Sequence, residues 1–183
     1  MLSYADTFLA QVPWPHWVVM GVLSLAMTLI ILADKKYSVY GVICFGLSVF
    51  LGFFLLDIAV LIRWGDGVKH MTGFSLPAEY NRLIHGGAIR WTEMLANVAV
   101  FFPFGFFLSE FLFTTETFIT PRHRLVRVTL VSFGLSLLIE TLQLIFRLGV
   151  FEVTDLILNT FGGFVGTGLS SIGRLALTRL RGR

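Results

Sequence analysis

Residues 132–171 read SFGLSLLIETLQLIFRLGVFEVTDLILNTFGGFVGTGLSS, two apolar stretches that carry Glu140, Gln143 and Arg147 in the first and Asp155 and Asn159 in the second. Each stretch approaches the roughly 20 residues needed to cross about 30 Å of hydrocarbon at 1.5 Å per helical residue. A carboxylate near the centre of such a helix costs roughly 2.5–3.5 kcal/mol on insertion scales, so it persists only with a partner or a task. The polar residues are therefore the place to look for function, and the apolar ones around them fix the kind of fold.

Outward from this stretch the same pattern repeats. The chain has 183 residues, 56% of them hydrophobic and only 14% charged, with 19 Phe. That is too little polar surface for a domain solvated by water alone. Five segments are long and apolar enough to span, near 14–33, 39–62, 94–113, 125–146 and 154–173. The expected fold class is all-α: a multi-pass transmembrane bundle of about five spans. The expected division is two N-terminal spans and the start of an outer loop over 1–75, a membrane domain over 76–175 and a basic tail over 176–183.

Charge asymmetry gives an orientation. One side holds Lys35, Lys36, Arg122, Arg124, Arg127, Arg174, Arg179, Arg181 and Arg183; the other holds Arg63, Lys69, Arg82, Arg90 and Arg147. The richer side is expected in the cytoplasm, with the N-terminus outside and the C-terminus inside. Trp14, Trp17, Trp64 and Trp91 then all lie at the outer interface. In this arrangement Asp57, Asn97, Glu140, Gln143, Asp155 and Asn159 share one depth, in the outer half of the bilayer. MLSYADTFLA has no basic n-region, so a cleaved signal peptide is not expected.

On a continuous helix Glu140, Gln143 and Arg147 fall at i, i+3 and i+7 and share a stripe, as do Asp155, Asn159, Gly162 and Gly166 at i, i+4, i+7 and i+11. The glycines permit close approach of a neighbouring helix. Packed together, the stripes offer Arg147 a carboxylate in Asp155, Glu152 or Glu140. Two readings stand side by side: a polar clasp joining helices, and a headgroup-binding or catalytic pocket. Asn97 is likewise either an interhelical hydrogen bond or a wall of that pocket. Pro103 predicts a kink in the third span, because it removes a donor and crowds the carbonyl of Ala99.

The outer segment 63–93 is too long for a turn. Within it SLPAEYNRLIHGG predicts a short interfacial helix, with Ser75 as cap and Gly86-Gly87 as stop. Arg82, Lys69 and Arg90 are solvated surface cations or, less readily, phosphate contacts. The basic residues form no aromatic-interleaved face, so a nucleic-acid partner is not expected despite a pI near 9.4. Cys44 is the one cysteine, the four histidines lack metal-ligand spacing, and no phosphate-cradling loop or nucleophile elbow occurs. No metal or other cofactor is expected. Arg174, Arg179, Arg181 and Arg183 read as a tail that snorkels or meets anionic lipid.

The combination Asn97…Pro103-x-Gly105, Glu140-x-x-Gln143-x-x-x-Arg147 and Glu152-x-x-Asp155-x-x-x-Asn159-x-x-Gly162-Gly163 resembles the VanZ-like membrane proteins, over about residues 80–170. Glu152 departs from the aspartate frequent in that family, which keeps the charge on a longer arm. The resemblance implies a small bacterial protein of the cytoplasmic membrane, in a family whose founding member is linked to resistance to teicoplanin-type lipoglycopeptides.

The leading expectation is a non-catalytic envelope protein whose outer-leaflet pocket binds a membrane lipid or a lipid-linked envelope precursor, or an antibiotic's lipid and sugar parts. Arg147 would contact an anionic group, Glu140, Gln143 and Asn159 would orient it, Asp155 would hold Arg147, and Asn97 would close the pocket. The runner-up is an intramembrane hydrolase or transferase on a lipid-linked substrate, with Glu140 as general base. A structural subunit of a membrane complex is the third reading.

Overall fold

A computed structural model of the protein describes residues 14–34, 36–61, 80–81, 84–115 and 120–181. Its five long helices are α1 (Trp14–Leu32), α2 (Val39–Leu56), α3 (Gly87–Thr115), α4 (Pro121–Ile145) and α5 (Val153–Arg181), and all are apolar enough to cross a membrane. α2 runs on into a π-helical turn over Asp57–Leu61. No strand occurs among the described residues. The all-α multi-pass bundle expected from hydropathy is the observed fold. Most of the expected interfacial helix lies outside the described residues, although 80, 81, 84 and 85 are helical.

Local sequence sets the helix ends. Ser38 caps α2, its hydroxyl accepting from the Gly41 N–H at 3.1 Å; Thr120 caps α4 in the same way, with Pro121 at the first helical position. α4 ends in a Schellman motif: the Leu148 N–H donates to the Gln143 carbonyl and the Arg147 N–H to that of Leu144, with Arg147 left-handed at φ 57°. Gly87, at φ +58°, opens α3, which continues through Pro103.

The helices alternate in direction. α3 and α5, parallel to each other, form the most extensively packed pair; α2 flanks α3, α4 flanks α5, and α1 rests on α2. The α3–α5 seam is backbone on backbone. A Cβ on Gly105 would strike the backbone of Gly163, one on Gly162 the Val98 carbonyl, and one on Gly166 the Phe102 carbonyl. A small apolar core gathers Leu55, Phe101, Phe104 and Ile139. Much of the remaining interior is hydroxylic: Ser109, Ser132, Ser136, Thr167 and Ser170 are fully buried, while leucines, isoleucines and phenylalanines cover the outside. Large apolar side chains outward and small polar ones inward is packing suited to lipid, where helices associate by close contact and hydrogen bonds.

Candidate functional site

Two polar centres sit at opposite ends of the bundle. The first contains the residues expected from sequence. Glu140, buried near the end of α4, accepts from the Glu152 backbone N–H at 3.0 Å, which fixes the α4–α5 connection to the helix it leaves. One turn on, Gln143 donates to the Ala59 carbonyl at 3.0 Å. That carbonyl belongs to the π-helical turn, where i→i+5 bonding disturbs the backbone ladder and makes room for an outside donor. Asn159 donates to the Ser136 hydroxyl at 2.9 Å, tying α5 to α4 deeper in the bundle. Glu152 is buried and Asp155 half-buried in the first turn of α5. Asn97 is half-buried on α3, next to Val98, against whose carbonyl Gly162 packs.

Arg147 departs from the expected stripe. The helix stops at Ile145, and the left-handed step at Arg147 turns its side chain out of phase with Glu140 and Gln143, so the guanidinium is exposed beyond the helix end. Seven residues make two turns only where the helix continues, and here the Schellman hydrogen bonds end it first.

Asp57 also belongs to this end. It is 2% exposed and sits 2.6 Å from Nδ1 of His16 on α1. Its other oxygen has no hydrogen-bond partner among the described residues. Arg63, six residues after Asp57, lies outside the described residues. No group of three or more metal-ligating side chains occurs among the described residues.

The second centre, at the other end, escaped the sequence reading. Glu110 of α3 is buried and accepts from the Tyr40 hydroxyl at 2.7 Å, the Ser170 hydroxyl at 2.6 Å, Arg174 Nε at 2.9 Å and Arg174 Nη2. Arg174 is thus the partner of a buried carboxylate within α5 and not part of a loose tail; the helix continues to Arg181. Ser109 hydrogen-bonds Ser170 at 3.0 Å. Glu110 was visible by the argument that singled out Glu140, a carboxylate inside a spanning helix. Its partners were not, because they lie 60 to 70 residues away in sequence.

An apolar groove of about 570 Å³ runs between α4 and α5, walled by Phe133, Val153, Leu156, Ile157, Phe161 and Phe164 among others. It begins at the first turn of α5, beside the first polar centre, and follows the helix from Val153 to Phe164, a rise of roughly 16 Å at 1.5 Å per residue.

Comparison with known proteins bears on both centres. No solved structure matches the chain. Protein VanZ of Enterococcus faecium is 40% identical over 77 residues, which is 42% of this chain and 43% of that protein, so the match spans less than half the relative's length. The sequence profile described as VanZ/LLP1 matches residues 61–174, from the last residue of the π-helical turn through Arg174. Glu110 and Glu140, a buried carboxylate from each centre, both lie within that match, and the chain belongs to the VanZ/LLP1 family.

Proposed function

We propose that this protein is a non-catalytic component of the bacterial cytoplasmic membrane that binds a lipid or lipid-linked amphiphile at the Glu140 end, which faces outward. The ligand's polar head meets Arg147 and the hydrogen-bonding groups around Glu140, Asp155 and Asn159, and its chain lies in the α4–α5 groove. The observation that carries this reading is that groove. It is long, apolar and starts where the polar residues are, which matches an amphiphile's division into head and chain. Kinship with VanZ supports an effect on envelope function or susceptibility to teicoplanin-type lipoglycopeptides.

Native mass spectrometry of the protein purified with its own membrane lipids tests the reading, beside Arg147→Gly and Glu140→Gln. Glycine suits the left-handed backbone at position 147, so that variant removes the charge and keeps the turn. A discrete lipid adduct, lost in both variants, is expected. Adducts equal in all three proteins would sink the proposal.

One observation favours a second reading, an intramembrane hydrolase or transferase. The buried Asp57 orients a part-exposed His16 through Nδ1, the arrangement that leaves the other ring nitrogen available as a base. A bound lipid whose mass changes on incubation, and no longer does so in His16→Gln, would decide for it.

A further inference from the structure

α1 is held to the bundle at few points. It packs chiefly on α2, through apolar contacts such as Trp17 on Phe50 and Phe54. In a membrane such contacts add little hold, because lipid is as apolar as a neighbouring helix. Its polar links to α2 then matter most, and two occur among the described residues. The Ser24 hydroxyl donates to the Gly46 carbonyl at 2.8 Å, and His16 Nδ1 meets Asp57 at 2.6 Å. They are eight residues apart on α1, about 12 Å along its axis. The first link contains no titratable group; the second is an imidazole on a carboxylate.

The two sides of the second link differ. Asp57 is 2% exposed, and among the described residues His16 is its one partner. It sits in the π-helical turn, which Gln143 of α4 holds at the Ala59 carbonyl, two residues on. His16 is 31% exposed, near the start of a helix whose surface is mostly turned outward. Asp57 is thus anchored, while His16 is open to protons and free to move. α1 carries no other titratable side chain, and α2 carries Tyr40 and Cys44 at its far end. Of the helices packed on α2 and its turn, α3 brings the exposed Glu93 to this end and α4 brings Glu140. Both are carboxylates, and Arg147, beyond the end of α4, is exposed. Among the described residues the positive charge opposite Asp57 is therefore that of the imidazolium.

We infer that His16 and Asp57 form a proton-operated latch between α1 and the bundle. With the imidazole protonated, opposite charges hold the N-terminal half of α1 against α2. Histidine changes charge between about pH 5 and 8. When the ring loses its proton the buried carboxylate loses its counter-charge, which is strongly unfavourable away from water. α1 then pivots about the Ser24–Gly46 bond and admits water to Asp57. The latch is the alternative to a base at His16: a base needs the pair intact with the ring neutral, and the latch opens then. It stands whether or not a ligand occupies the Glu140 end.

Double electron–electron resonance on the full chain in lipid nanodiscs is the test. Spin labels go on Val19→Cys of α1 and Leu138→Cys of α4, both exposed positions, with the buried Cys44 replaced through Cys44→Ala. Wild type at His16 is expected to show one distance at about pH 5 and a second, longer population at about pH 8. His16→Gln keeps a hydrogen-bonding side chain without the charge and is expected to show the longer population at both. His16→Arg, cationic throughout, is expected to keep the short distance at both, a rescue that a merely structural histidine would not give. An unchanged distribution in wild type, a pH shift that survives in His16→Gln, or opening of His16→Arg at about pH 8 would overturn the inference.

Discussion

At Arg147 a left-handed backbone and an exposed guanidinium belong to the same residue, and substitutions separate them. A left-handed conformation costs an L-residue roughly 1–2 kcal/mol, so Arg147→Gly should stabilise the protein by about 1 kcal/mol and Arg147→Val should destabilise it. Unfolding by SDS from mild detergent micelles measures both, and a Val variant as stable as wild type would contradict the turn. The buried hydrogen bond from Asn159 to Ser136 can be weighed the same way. A double-mutant cycle with Asn159→Ala and Ser136→Ala should give a coupling of about 0.6 kcal/mol, at most about 1.7, as for other interhelical bonds in membranes. These modest figures fit a residue that positions helices. The sequence reading placed Asn159 in a polar cluster without distinguishing clasp from pocket, because stripe geometry gives direction and not partner. Its hydroxyl partner on α4 is one of several buried serines that hydropathy treats as unremarkable.

Between α3 and α5 the determining contacts involve atoms that cannot move aside. Gly105 faces the backbone of Gly163, so Gly105→Ala should cost about 1–3 kcal/mol by overpacking, whereas Gly134→Ala, with open space around it, should stay within about 0.5 kcal/mol. Comparing the two in the same SDS titration checks the seam; equal effects would refute it. The Glu110–Arg174 pair joins the same two helices. Removing one partner of a buried pair typically costs about 3–5 kcal/mol, so Glu110→Leu should fall near the lower figure and Glu110→Leu with Arg174→Leu should recover part of the loss. The spans themselves were legible, since hydrocarbon thickness sets a length that apolar runs reveal. Their ends were less so. α3 begins at Gly87, not near 94, and α5 reaches Arg181, not 173, because polar turns continue a helix beyond the hydrocarbon without a hydropathy signal. The π-helical turn after α2 was invisible for a related reason: DIAVL is apolar in either helix type, and the Gln143 donor that meets its carbonyl is 84 residues away.

For the molecule as a whole, cysteine labelling measures the proposed direction of insertion. The native Cys44 is buried and should not react with a membrane-impermeant maleimide. With the Glu140 end outside, Ile84→Cys should label in intact spheroplasts and Arg122→Cys only after lysis, both positions being exposed. The reverse pattern would invert the proposed topology. The bundle is also mechanically uneven. α1 touches the rest chiefly through α2, with most of its surface turned outward, while α3 and α5 meet backbone to backbone at Gly105, Gly162 and Gly166. Such a seam keeps its width when the surrounding bilayer thins or thickens. Mismatch in a membrane is relieved by tilt or by local deformation of lipid. The α3–α5 pair is expected to tilt as one plank, leaving the yielding to the outlying helix and to the lipid packed beside it.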